Sequence, residues 1–121
     1  MPDCVFCKII KKEIPADVVY EDGEYIAFLS IDPHAPGHTL VVPKQHYHWV
    51  WDVPDVGKYF EVARKIALAM QKAYGQEAIF GHIEGTEVPH AHIWVYPWPE
   101  KTPGDKKDFA GNKKKIVEAL K

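Results

Sequence analysis

Apolar positions in this chain come in short runs broken by proline and glycine, and only one stretch keeps a helical period for long. Phe6, Ile9 and Ile10 are spaced as one face of a short helix over residues 4–12. Pro15 ends it, because proline has no amide hydrogen to carry the helix on. Val18-Val19-Tyr20 and Tyr25-Ile26-Ala27-Phe28-Leu29 are strand-like, and Glu21-Asp22-Gly23-Glu24 between them supplies a turn, so a hairpin is predicted. Residues 30–37 read as a loop punctuated by Pro33, Pro36 and Gly37. His38-Thr39-Leu40-Val41-Val42 is a β-branched run that closes at Pro43 and is expected to be a central strand. Over residues 54–74, Val56, Tyr59, Phe60, Ala63, Ile66, Ala67 and Met70 recur every three or four positions, with charged residues between them. This predicts the one long helix, ending near Gly75. Ala78-Ile79-Phe80 begins another strand, residues 81–89 connect, and residues 90–96 form a further strand. Asn112 caps a last helix over residues 113–121. Hairpin-linked strands with a helix between strands predict an α+β domain spanning 1–121, with a largely antiparallel sheet.

Composition narrows the partners. With 121 residues, 46% of them hydrophobic, there is material for one core. Fifteen basic against 17 acidic residues, a net charge of −2, provide no general attraction to polyanions. Lys113-Lys114-Lys115 is read as a solvated helix face, so no nucleic-acid partner is expected. No run approaches the ~20 apolar residues of a membrane span and no leader pattern stands at the start. The expectation is a cytoplasmic protein without a membrane partner.

The candidate chemistry lies in two short segments. In an extended strand, His90, His92 and Trp94 share one face, while Ala91, Ile93 and Val95 share the other and pack on the helix. Residues two apart stand about 7 Å from one another, within reach of a phosphate or of a metal and its ligands. A bare His-x-His is more often a pair of half-buried histidines on a solvated sheet face. Cys4-Val5-Phe6-Cys7 has the spacing of half a zinc site, with a redox or free thiol pair and a disulfide as the other readings.

Taken in register, these segments resemble the histidine-triad (HIT) family, whose signature is His-φ-His-φ-His-φ-φ with φ apolar. Its companion motifs are Phe6-Cys7-Lys8-Ile9-Ile10, Ile14-Pro15-Ala16, Ala27-Phe28-Leu29 and the run from Pro36-Gly37-His38 through Pro43-Lys44-Gln45-His46. The resemblance implies a HIT-like fold with a five-stranded sheet, one long helix and a C-terminal helix. It also implies a homodimer with a nucleotide pocket in each protomer. The middle histidine, His92, would attack the α-phosphorus of a nucleoside phosphoramidate, dinucleoside polyphosphate or related nucleotide and form a nucleotidyl-His92 intermediate. His38 would face the phosphate, and Phe6, Ile9, Phe28 and Ile31 would line the base pocket, ordinary core being the other reading of those four. Members with the same cysteine pair complete a closed, structural zinc site with two histidines, which here are His46 and His90.

Three positions depart from the family pattern. Trp94 stands for the third histidine, and an indole donates a hydrogen bond but accepts no proton. Ser30 stands where many members place an aspartate on the ribose, and a neutral contact is weaker than a charge-assisted one. Glu87 precedes the histidines and would repel a phosphate unless paired or protonated. These departures favour an alternative, a non-catalytic nucleotide-binding or zinc-stabilised interaction domain, whereas retention of His38 and His92 favours the enzyme. His34, His48 and His82 have no matched partner and are read as surface or loop residues. Tyr47, Trp49 and Trp51 read as core or dimer contacts in preference to a substrate platform.

Overall fold

Asp22 shows how locally the first hairpin is specified: its carboxylate accepts the amides of Glu24 and Tyr25 at 2.8 and 2.7 Å, closing the turn between β1 (Val18–Glu21) and β2 (Tyr25–Leu29). The computed structural model describes residues 4–121. β2 continues antiparallel to β3 (Thr39–Pro43), β3 to β5 (His92–Pro97), and β5 to β4 (Ile79–Glu84), so the five-stranded sheet runs β1-β2-β3-β5-β4 and β3 is central. Among the described residues three α-helices accompany it: α1 (Val5–Ile10), α2 (Val56–Tyr74) and α3 (Phe109–Leu120). This is the α+β fold expected. No helix among the described residues is long and apolar enough to cross a membrane.

β2 and β3 are buried at every position because both faces of the sheet are covered. On one face Ala27, Val41, Ile93 and Val95 pack with Tyr59, Ile66 and Met70 of α2 and Ile116 of α3. On the other, Ile26, Phe28, Leu40 and Val42 pack with Cys4 and Phe6 at α1. Tyr59 ties the layers together. Its hydroxyl donates to the Val41 carbonyl at 2.6 Å and its ring stacks on Tyr25, centroids 5.2 Å apart. Gly37, at φ +78°, brings the chain against the Tyr74 ring, which a Cβ there would strike. That close approach sets where β3 starts.

Several boundaries differ from the sequence pattern. β4 runs on to Glu84, because Ile79 and Ile83 turn inward while pairing with β5 overrides the breaker Gly81. β5 starts at His92, so His90 and Ala91 belong to the connection. α3 starts at Phe109 with Asp108 as its cap, the carboxylate accepting from Gly111 N–H at 3.1 Å. Asn112 lies inside that helix, buried, accepting from the Tyr74 hydroxyl and donating to the Asp105 carbonyl, both at 2.9 Å. On α2 the buried stripe is Tyr59, Val62, Ala63, Ile66, Ala69 and Met70, leaving Val56 and Phe60 exposed.

Candidate functional site

Cys4 caps α1 by accepting the Cys7 amide on its Sγ at 3.4 Å, and that one turn of helix turns both thiols to the same side. His46 follows β3, and His90 arrives in the stretch before β5, where its amide donates to the Val88 carbonyl at 2.8 Å. Cys4 Sγ lies 3.3 Å from His90 Nδ1, and Cys7 Sγ lies 3.3 Å from His46 Nδ1 and 3.5 Å from His90 Nδ1. All four donor atoms fall within 4.8 Å of one another. A tetrahedral ion with bonds of about 2.3 Å to sulfur and 2.0–2.1 Å to nitrogen holds its ligands roughly 3.3–3.8 Å apart, so the quartet is spaced to share one metal ion. His90 Nε2 donates to the Pro43 carbonyl at 2.8 Å, which leaves the Nδ1 lone pair for a cation. Burial pushes His90 down to about 4 and lowers His46 as well, so both are neutral ligands at neutral pH. Burial and the adjoining Cys4 raise the Cys7 thiol, an effect a shared cation would oppose.

Two residues on, His92 is also buried. Its Nδ1 donates to the His90 carbonyl at 2.7 Å, which leaves Nε2 without a proton and with its lone pair available. The Phe6 ring meets it edge-on at 5.2 Å, meets His90 at 5.9 Å and meets Phe28 at 5.4 Å. The histidine row is therefore covered by α1, not laid on a solvated sheet face. His38 stands just before β3, with its Nδ1 accepting the His34 amide at 3.0 Å, so Nε2 bears the proton. Burial, and then the neighbouring His34, push its pKa down to about 4. Among the described residues neither His38 Nε2 nor Trp94 Nε1 has a hydrogen-bond partner, although both atoms are buried and their rings lie 5.2 Å apart. Two buried donors without acceptors are a costly arrangement that an oxygen-rich ligand would relieve.

The other expected residues are distributed unevenly. Phe6 and Phe28 pack together, with Ile9 against the same cluster. Ile31 is 90% exposed and does not join them. Ser30 sits at the end of β2, its hydroxyl accepting the Asp32 amide at 3.2 Å. Glu87 is exposed in the turn after β4, and the carboxylate that strand register sets opposite His92 is Glu84. Trp49 lies over Gly85, where a Cβ would meet its ring at 2.9 Å, and His48 Nε2 donates to the Gly85 carbonyl at 3.0 Å, so this segment props the turn leading to His90. Trp51 is 69% exposed.

The pattern of sequence motifs missed a group around Trp94. His82 of β4 pairs across from Trp94, with rings 4.5 Å apart, and His34 meets Trp94 at 5.0 Å and Tyr96 at 5.7 Å. Its signal was present as alternation in Phe80, His82 and Glu84, three outward positions of β4.

The HIT domain model matches residues 11–100, and the chain belongs to that family. An uncharacterized HIT-like protein of Methanocaldococcus jannaschii is 44% identical over 103 residues, covering 78% of each chain. The adenosine 5′-monophosphoramidase of Saccharomyces cerevisiae is 38% identical over 104 residues, covering 84% of this chain and 66% of that enzyme. Among solved structures, a zinc-bound histidine-triad protein of Mycobacterium smegmatis superposes with a TM-score of 0.85 at 28% identity, covering 98% of this chain and 94% of that one. The fold is shared with that histidine-triad structure.

Proposed function

We propose that this protein is a nucleotidyl hydrolase or transferase whose nucleophile is His92, acting on the α-phosphate of a nucleoside phosphoramidate, a dinucleoside polyphosphate or a related nucleotide. The observation that carries this reading is the His92 Nδ1 bond to the His90 carbonyl, which presents a bare Nε2 from a buried ring. A neutral imidazole held in that tautomer is a competent nucleophile at neutral pH. The unpartnered donors on His38 and Trp94 are the groups that would receive phosphoryl oxygens. Phe6, Ile9 and Phe28 form the apolar wall against which a base would lie. Ser30 would reach the ribose. Trp94 thus keeps a donor at the third triad position while giving up proton transfer.

Cys4, Cys7, His46 and His90 would hold zinc. With all four positions taken by protein, the ion supplies structural closure, and the chemistry is left to His92. The relatives' chemistry supports this assignment, since the M. smegmatis neighbour is zinc-bound and the yeast relative is a phosphoramidase.

We also assign a homodimer formed along β4. That strand is at the sheet edge, and beside it Phe60, Ala63, Ala67, Ile79 and Ile83 line a groove of about 430 Å³ between α2 and β4. Phe60, Leu68 and Phe80 are 39%, 47% and 39% exposed. An open edge next to an apolar groove is a surface that a second copy of the chain covers.

The decisive experiment is turnover of adenosine 5′-phosphoramidate by the purified protein beside His92→Ala. Activity should be lost in the variant, and peptide mass analysis of a slow-substrate reaction should find the nucleotidyl group on His92. An adduct on His38 or His90, or no turnover by the wild-type protein, overturns the assignment.

A further inference from the structure

Trp94 leaves the site without the proton carrier that a third triad histidine would be. β4 brings another imidazole to the same place. Its outward residues Phe80, His82 and Glu84 pair with Tyr96, Trp94 and His92 of β5 in that order. The His82 ring lies on the Trp94 indole, centroids 4.5 Å apart, and its Nε2 donates to Glu84 Oε1 at 2.8 Å. Glu84 Oε2 accepts the Thr86 hydroxyl at 2.7 Å, so both carboxylate oxygens are engaged. Thr86 first, and then His82, hold the Glu84 carboxyl below its usual range. A carboxylate bonded to one imidazole nitrogen fixes the ring's tautomer and stabilises its protonated form, and here it leaves Nδ1 as the atom free to exchange a proton. In an antiparallel pair the diagonal neighbour stands about 7–8 Å away. His82 is the diagonal neighbour of His92, so the two side chains rise from adjoining positions on the same sheet face.

We propose that His82, seated on Trp94 and held by Glu84, is the proton-transfer residue of this site. The inference rests on the nucleophile reading above. As the His92 Nε2 lone pair forms a bond to phosphorus, the bond from phosphorus to the leaving nitrogen breaks, and that nitrogen keeps the electron pair and takes the proton from His82 Nδ1. When water later attacks phosphorus, its proton passes to His82 Nδ1 and the phosphorus–His92 bond breaks, restoring both rings. The groups shown to face His82 are Glu84, which accepts its Nε2 proton, Trp94, on which its ring lies, and His38, whose titration its charge influences.

The test compares two leaving groups in wild-type protein and His82→Gln. Adenosine 5′-phosphoramidate releases an amine that must be protonated, whereas the p-nitrophenyl ester of AMP releases a phenolate that need not be. First-step rates are read by rapid quench and by the p-nitrophenolate burst. The amine-to-phenolate rate ratio should fall by about 10²–10⁴-fold in His82→Gln, and added imidazole should restore part of the amine rate in His82→Gly. A ratio that stays at the wild-type value, whether both rates fall together or neither falls, overturns the proposal. Failure of the wild-type protein to form any His92 adduct overturns the nucleophile reading and this inference together, so the two failures are distinguishable.

Discussion

His38 couples the candidate site to stability. Its folded pKa of about 4 lies below the value of about 6.5 for an unperturbed histidine. Between those values the unfolded chain binds more protons than the folded one, so the free energy of unfolding falls as the pH drops from about 6.5 to 4 and levels off below. The loss is on the order of 3 kcal/mol. Urea midpoints at pH 7 and pH 4.5 should therefore separate more for the wild-type protein than for His38→Asn. Equal separations would show that another group carries the acid sensitivity. His90 and His92 are expected to fail differently. His90→Ala should lose bound zinc and stability together, whereas His92→Ala should keep the metal in elemental analysis. His38, His90 and His92 were legible in the sequence because they stand in spaced motifs. The place of His82 beside Trp94 depends on which strand pairs with β5, which alternation within β4 alone does not tell, and His34 reaches Trp94 from the separate β2–β3 connection.

At the scale of elements, α1 has six residues, far fewer than the number a helix needs to persist alone in water. It is held by Phe6 in the apolar layer and by the Cys4 and Cys7 thiols beside His46 and His90. Cys4→Ser, or a strong chelator, should release it. Hydrogen exchange should then quicken over residues 5–11, while the amides of α2, packed on the opposite face of the sheet, change little. Equal loss of protection in α2 would mean that the quartet holds the whole domain and not one element. The long helix and the first hairpin were readable because period and turn chemistry agree in them. β4 extends past the expected connection at residue 81 as far as Glu84, and α3 starts at Phe109, ahead of the expected residue 113. The helix cap is Asp108, and Gly111 is tolerated inside because a Cβ there would crowd the Asp108 carboxylate. Asn112 has the residue type of a cap, yet tertiary bonds to Tyr74 and Asp105 place it inside.

For the whole molecule, the groove along β4 predicts an assembly of about twice the 13.8 kDa chain mass. Sedimentation should find that dimer, and Phe60→Glu should shift it to monomer, since a carboxylate in an apolar interface is left unpaired. A Phe60→Glu protein that stays dimeric would place the interface elsewhere. The spread of the metal-site donors along the chain has a consequence of another kind. They stand at positions 4, 7, 46 and 90, and Cys4 and His90 are 86 positions apart. At roughly 5–20 residues per second of synthesis, on the order of 4–17 s pass between the making of the first cysteine and that of the last histidine. Throughout that interval the nascent chain would carry a bare pair of thiols, and a centre joining α1 to the stretch before β5 could close only after His90 has been made.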